Sequence, residues 1–413
     1  MKEFELLELS NGLRAVHKVI PHAKIVHCGF VLDIGSRDES DEEYGLAHFW
    51  EHMAFKGTPS RKAFHVINRL ESVGGELSAY TTKEKIYFYA SVLTEHFERA
   101  LELLVDITFN SIFPEKEIEK EKGVIIEEIA MYEDAPEELI VDEFENLIFE
   151  GHPLGKYILG TRESVNSFSQ ENFKTFLSKN LDLKRVVFSS VGSVSPEVVK
   201  AKVTKYLAGI PSTNSSRVKI KTDFTENKPT ELIVKKHLQQ AHVMLGGKAY
   251  DLHSSKRLAC LVMTNLLGGA AMTSRLNMTL RENKGLVYSI EANYTAYLDT
   301  GLFSIYFGTD PNNLKRARKA ISKEIERLKT VPLGIQQLSS LKKQLIGQLA
   351  MAEESNVAMM HMMGKSLLDF DRIESIDEIL DKIEKVTVED IQEVANEILD
   401  EDRFTILQFL PEK

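Results

Sequence analysis

The order of strand and helix signals in this chain occurs twice, at a period of about 200 residues. In the first half, Lys24 to Ile34 and Lys85 to Val92 read as strands, rich in β-branched and aromatic residues. A helical pattern from Glu95 to Asn110 follows the second of them. In the second half, Glu231 to Gly246 and Gly301 to Phe307 read as strands, and a helical pattern runs from Asn312 to Lys329. Strands alternating with long helices predict an α+β fold. Two homologous α/β-sandwich domains are expected, each a mixed sheet with helices packed on one face. A polar stretch opens at Pro211-Ser212-Thr213-Asn214 and runs to Lys228-Pro229. The predicted organisation is a first domain over 1–210, a linker over 211–229 and a second domain over 230–413. A chain of 413 residues is long enough to require two cores.

Composition narrows the class. Hydrophobic residues make up 43% and charged residues 27%, which describes a soluble globular protein. A net charge of −11 argues against nucleic-acid binding and weakly favours basic peptides as ligands. The N-terminal Met1 to Glu8 lacks a basic segment followed by an apolar core, so no signal peptide is expected. No apolar run reaches the roughly 18 residues a membrane span needs. Cys28 and Cys260 lie far apart and read as buried reduced thiols, which fits a cytoplasmic protein.

The chemistry concentrates in His48-Phe49-Trp50-Glu51-His52. The 3.6-residue period places His48 and His52 one turn apart on one helix face, where two imidazoles can hold one metal ion. Glu51 lies beside them, placed to act as a base without being a ligand. The flanks Gly45-Leu46-Ala47 and Met53-Ala54-Phe55 are apolar, and ionisable residues seldom sit in such a helix unless paired or metal-bound. The order His-x-x-Glu-His is a known catalytic zinc signature. Two surface histidines on a helix are the plain alternative.

A catalytic zinc normally takes three protein ligands. The third must come from another segment, and the acidic helical stretch from Pro114 to Ala130 is the best source. Glu121, Ile125, Glu128 and Tyr132 share one face, while Glu127 lies about 100° away. Periodicity favours Glu128 over Glu127 and does not settle the choice, since all three carboxylates also read as solvated helix charges.

The segment Gly45 to Thr58, together with Val124-Ile125-Ile126-Glu127-Glu128, resembles the pitrilysin-like inverzincin metallopeptidases of peptidase family M16. The similarity is closest to the half-length branch that includes the mitochondrial processing peptidase subunits and bacterial relatives. Gly74-Gly75 and Gly151-His152-Pro153-Leu154-Gly155 extend the likeness over essentially the whole chain. The resemblance implies a Zn²⁺ site of His48, His52 and Glu128, which lies 76 positions beyond His52. It implies Glu51 as catalytic base and Glu121 as a support for the site. It further implies that Ser78, Ala79 and Tyr80, in the strand candidate Gly75 to Thr81, bind an extended peptide substrate by β-augmentation. Ser78 departs from the Asn that the family commonly has there.

The second half has no His-x-x-Glu-His, and His237, His242 and His253 read as structural or surface residues. It contains Arg281-Glu282-Asn283-Lys284-Gly285-Leu286-Val287-Tyr288, which matches an Arg and a Tyr seven apart that reach the metal site in the family. Donors of this kind stabilise the oxyanion formed when water attacks a peptide carbonyl. The full-length relatives close a chamber from four such domains. The resemblance therefore implies a dimer, with Arg281 and Tyr288 acting on the partner's site, and because this chain carries both halves of the site a homodimer is the economical expectation. The competing readings are a non-catalytic structural subunit, or a catalytic subunit that requires a different partner chain. The run Met359-Met360-His361-Met362-Met363 reads as core packing within a helix of the second domain.

Overall fold

Alternating apolar residues build two mixed sheets in the computed structural model, which describes residues 4–212 and 229–412. The chain divides into two units. The first comprises Met1–Met131, Lys156–Ile220 and Ala352–Glu374; the second comprises Tyr132–Gly155, Lys221–Met351 and Ser375–Lys413. The predicted linker falls almost wholly outside the described residues.

The first unit holds β1 (Glu5–Glu8), β2 (Arg14–Val19), β3 (Ile25–Leu32), β4 (Glu76–Thr81), β5 (Ile86–Leu93) and β6 (Val186–Gly192). They lie in the order β1-β2-β6-β3-β5-β4, with β2 and β6 parallel and the other neighbours antiparallel. Helices α1 (Leu46–Ala54), α2 (Ala63–Glu71) and α3 (Phe97–Phe109) pack on one face. Phe30, Phe88, Phe188, Trp50 and Leu104 are fully buried in that layer.

The second unit holds β7 (Glu231–Lys236), β8 (Ala241–Ala249), β9 (Ser289–Ala296), β10 (Gly301–Thr309) and β11 (Thr405–Pro411), in the order β7-β11-β8-β10-β9. Here β7 and β11 are parallel and the rest antiparallel. With β1 set aside, both sheets run first, fifth, second, fourth, third strand in chain order. The repeated sequence pattern is thus a repeated topology. The segment Glu231 to Gly246, read as one strand, is two strands that are not neighbours, because the C-terminal β11 inserts between them. The same insertion of β6 separates β2 from β3.

Each sheet also carries one helix on its second face, and that helix comes from the opposite half of the chain. Helix α5 (Pro136–Ile148), which follows α4 (Glu115–Glu133), belongs to the second unit. Its Ile140 and Phe144 bury against Met244, Leu407 and Phe409. The Met-rich helix Asn356–Phe370 belongs to the first unit rather than the second, because Met359, Met360 and Met363 bury against Val16, Val187 and Val191. Alternation along β6 explains this: Val186 and Phe188 face one layer, and Val187 and Val191 face the other.

Candidate metal centre

Helix α1 begins at a position that only a small residue tolerates. Gly45 has φ 92°, and a Cβ there would lie 2.7 Å from the Cα of Gly160. The buried Glu39 carboxylate accepts hydrogen bonds from the backbone N–H of Gly45 at 2.9 Å and of Ala47 at 2.8 Å. These bonds satisfy amides at the helix start. Leu46, Phe49, Trp50 and Met53 anchor the helix in the core. The remaining face presents His48 and His52, with ring centroids 4.6 Å apart.

Helix α4 supplies the carboxylates. Ile118 and Ile125 are buried and fix its rotation. That rotation turns Glu121 and Glu128 inward and leaves Glu127 exposed. One oxygen of Glu128 lies 3.8 Å from His48 Nε2 and 3.5 Å from His52 Nε2. Ligand atoms of His48, His52 and Glu128 lie within 4.8 Å of one another, a spacing that suits a shared metal ion. No other group of three His, Cys, Asp or Glu meets that criterion among the described residues.

The donor set fits a metal. Two imidazole nitrogens and one carboxylate form a three-ligand catalytic zinc set. The Nδ1–H of His52 donates to Glu121 at 3.0 Å, so Nε2 is the nitrogen that faces the cluster. Nδ1 of His48 is buried without a hydrogen-bond partner, so no protein group directs that ring elsewhere. His48 is itself buried, whereas the side chains of His52 and Glu128 remain 21% and 27% exposed, which leaves the site open on one side.

The local electrostatics differ from residue to residue. Burial, helped by the neighbouring His52, pushes His48 down to about 4 and keeps it neutral, the form that binds metal. Burial also acts on His52, but the hydrogen bonds and charges of Glu121 and Glu128 outweigh it and raise the group to about 9 where no metal competes for the Nε2 proton. Burial raises Glu51 above the usual carboxylate range, opposed by a hydrogen bond from Thr81. That bond, Thr81 Oγ1–H to Glu51 Oε2, is 2.7 Å long. Glu121 is held below the usual range despite burial, because His52 and Lys56 both bind it. The Lys56 ammonium lies 2.6 Å from Glu121 Oε2.

The other predicted residues fall into two places. Ser78, Ala79 and Tyr80 lie on β4, whose only sheet neighbour among the described residues is β5. Ala79 packs towards the core, whereas Tyr80 stacks on Tyr87 at 4.2 Å on the opposite face. Alternation puts Ser78 on the Tyr80 face, away from Glu51. Arg281 and Tyr288 belong to the second unit. Arg281 sits on a π-helical turn, Asn277–Glu282, a distortion often found at functional sites. Tyr288 is 61% exposed, and its N–H donates to Gly308 at 2.9 Å. His242, buried against the Tyr306 hydroxyl at 2.9 Å, is structural.

Sequence reasoning missed Thr81, Lys56 and Glu39. Each acts across a turn or between elements, and no short-range motif announces such a contact.

The profile of Insulinase (Peptidase family M16) matches residues 14–162, and that of the Peptidase M16 inactive domain matches residues 167–345. The uncharacterized zinc protease YmxG of Bacillus subtilis (strain 168) is 35% identical over 392 residues, covering 95% of each chain. This chain belongs to peptidase family M16. Among its M16 relatives is also an uncharacterized zinc protease of Rickettsia felis, 33% identical over 96% of each chain. The M16 fold recurs in a crystal structure of a protease from Helicobacter pylori, with TM-score 0.91 and 21% identity over 99% of each chain. It recurs again in a peptidase M16 inactive domain from Pseudomonas fluorescens, with TM-score 0.90 and 19% identity over 99% of this chain and 98% of that one. In this M16 chain the metal-binding cluster lies within the first profile match, and Arg281 and Tyr288 lie within the second. No helix among the described residues is long and apolar enough to cross a membrane.

Proposed function

We propose that this chain is a zinc-dependent metalloendopeptidase, cleaving peptides or unfolded segments that bind in extended form. The observation that carries the reading is the convergence of His48, His52 and Glu128 beside the half-buried carboxylate of Glu51. The zinc relatives support the choice of metal. When bound, zinc acts as a Lewis acid and lowers the pKa of its water towards about 7.

The chain's own residues supply the rest. Glu51 takes the proton of the attacking water and passes it to the leaving amine. Glu121 holds the ring of His52, and Lys56 holds Glu121. The outer edge of β4, through Ser78, Ala79 and Tyr80, pairs with the substrate backbone, which reads little side-chain sequence. Because Ser78 turns its hydroxyl away from Glu51, the backbone of this strand makes the main contribution. Arg281 and Tyr288 present donors to the carbonyl oxygen as it gains charge.

On this reading the halves 1–210 and 230–413 are a metal-bearing and a metal-free domain of one duplicated architecture. Two copies form a homodimeric chamber in which the exposed Arg281 and Tyr288 of each serve the zinc of the other. Cys28 and Cys260 are both buried free thiols, which suits the reducing cytoplasm. Size-exclusion chromatography with metal analysis, followed by digestion of a peptide mixture with and without chelator, tests the whole reading. The expected result is a zinc-loaded dimer whose cleavage stops on chelation and returns with zinc. A zinc-loaded protein that cleaves nothing refutes it.

A further inference from the structure

We infer that Thr81 is a positioning residue for Glu51, and that it couples a peptide laid along β4 to the alignment of the base. The inference rests on the peptidase reading above and adds a route by which substrate binding acts on the chemistry.

Glu51 stands on α1, and Thr81 is the last residue of β4. The 2.7 Å hydrogen bond from Thr81 Oγ1 to Glu51 Oε2 joins them across 30 positions of chain. A glutamate side chain turns about several bonds, and the anchors of α1 do not fix its outer end. One charge-assisted bond to one oxygen selects a rotamer and leaves the other oxygen to exchange a proton.

The donor is itself held by the strand. Threonine is β-branched, so its χ1 is restricted. Thr81 pairs with Ile86 of β5, and the hairpin closes immediately beyond it. There Thr82 N–H donates to Lys85 O at 2.8 Å, and Lys85 N–H donates to Thr82 Oγ1 at 2.9 Å. Leu77 and Ala79, on the same face as Thr81, pack on the core. The hydroxyl therefore moves only as β4 moves.

β4 is also an outer strand, with β5 as its one sheet neighbour among the described residues. A peptide that adds to its outer edge turns β4 from an outer strand into an inner one and steadies it. Thr81 transmits that steadiness to Glu51. Binding energy gained along the peptide, away from the cleaved bond, then appears in kcat rather than only in KM.

The test uses the full zinc-loaded protein and a nested series of quenched fluorescent peptides, lengthened one residue at a time along the strand. Thr81→Val removes the hydroxyl and keeps the shape, Thr81→Ala removes both, and Thr81→Ser keeps the hydroxyl. In the natural protein and in Thr81→Ser, kcat is expected to rise with peptide length. In Thr81→Val and Thr81→Ala, kcat for the longest peptide should be lower by up to about 100-fold and flat with length, while KM still falls. Zinc affinity, measured by chelator competition, and the Kd of the longest peptide for the metal-free protein should be unchanged in Thr81→Val. A length-dependent kcat in either hydroxyl-free variant overturns the inference. So does a loss confined to KM, or a loss of zinc or peptide binding, since either marks a merely structural threonine. Should Thr81→Val not fold, Thr81→Ala gives the same reading. A natural protein inert on every peptide fails the peptidase reading itself, whereas an active one with indifferent Thr81 variants fails this inference alone.

Discussion

His52 donates its Nδ1–H to Glu121 at 3.0 Å, and this bond decides which imidazole nitrogen faces the metal. The opposite tautomer would place a proton on Nε2, where a lone pair is needed. Lys56, just past the C-terminal end of α1, bonds the second oxygen of Glu121. Replacing Glu121 by Ala should weaken zinc binding by about 10- to 100-fold, and Lys56→Met should act in the same direction to a smaller extent. Chelator competition measures both. Unchanged affinity in Glu121→Ala would remove the orienting role.

Glu51 approaches the cluster without belonging to it. Glu51→Gln should keep its zinc and lose kcat by at least about 100-fold, the lower range for a general base. Metal analysis and steady-state kinetics on one preparation separate the two effects. Full turnover in this variant would exclude Glu51 as the base.

Glu127 and Glu128 are neighbours in sequence with opposite environments. Glu128→Gln should empty the site at zinc concentrations that fill the natural protein, and Glu127→Gln should leave occupancy unchanged. The reverse result would transfer the ligand role to Glu127.

Arg281 and Tyr288 lie in a different unit from the metal ligands. Tyr288→Phe alone should cost about 100- to 1,000-fold in kcat, the scale of one lost oxyanion donor. Mixing inactive Glu51→Gln chains with inactive Tyr288→Phe chains and allowing exchange should restore part of the activity, because each mixed dimer contains one intact pairing. No recovery after demonstrated exchange would place the pair in service of its own chain.

Lys85 and Asp369 form a buried ion pair at 2.6 Å, with side chains only 4% and 5% exposed. It ties the helix Asn356–Phe370 to the sheet it covers. Lys85→Met leaves Asp369 with the more exposed Lys365, and should cost about 3 kcal/mol in denaturant unfolding. Burial alone would raise the Asp369 carboxyl, but Lys85 and Lys365 outweigh it and hold the group below the usual range. A depressed carboxyl stabilises the fold above its ordinary value, near pH 4, and loses that contribution as pH falls further. The difference in stability between the natural protein and Lys85→Met should therefore narrow in acid.

What could be read before the structure was what is local. The metal motif spans one turn of helix, so spacing alone placed His48 and His52 together. Glu128 needed the family likeness, because periodicity could not choose between adjacent glutamates; the buried Ile118 and Ile125 make the choice physically. The helix starting near Glu95 and the strand starting near Gly301 announce themselves by pattern. β11 does not, since its place between β7 and β8 depends on partners more than 150 residues away. Thr81, Lys56 and Glu39 were silent for the same reason. A threonine at a strand end or a glutamate in a loop acquires meaning only from what folds against it.

The reciprocal exchange of α5 and the Met-rich helix bears on how such a protein can be taken apart. A gene cut at the polar linker would yield a first half with the entire metal cluster, and that fragment would still fail as a reagent. Its sheet would show Val16, Val187 and Val191 bare to water, the surface that Met359, Met360 and Met363 normally cover. The second half would lack Ile140 and Phe144 over Met244 and Phe409. Each half of the chain thus supplies the helix that covers the second face of the other half's sheet. A minimal catalytic fragment has to be spliced from segments distant in sequence rather than trimmed from one end.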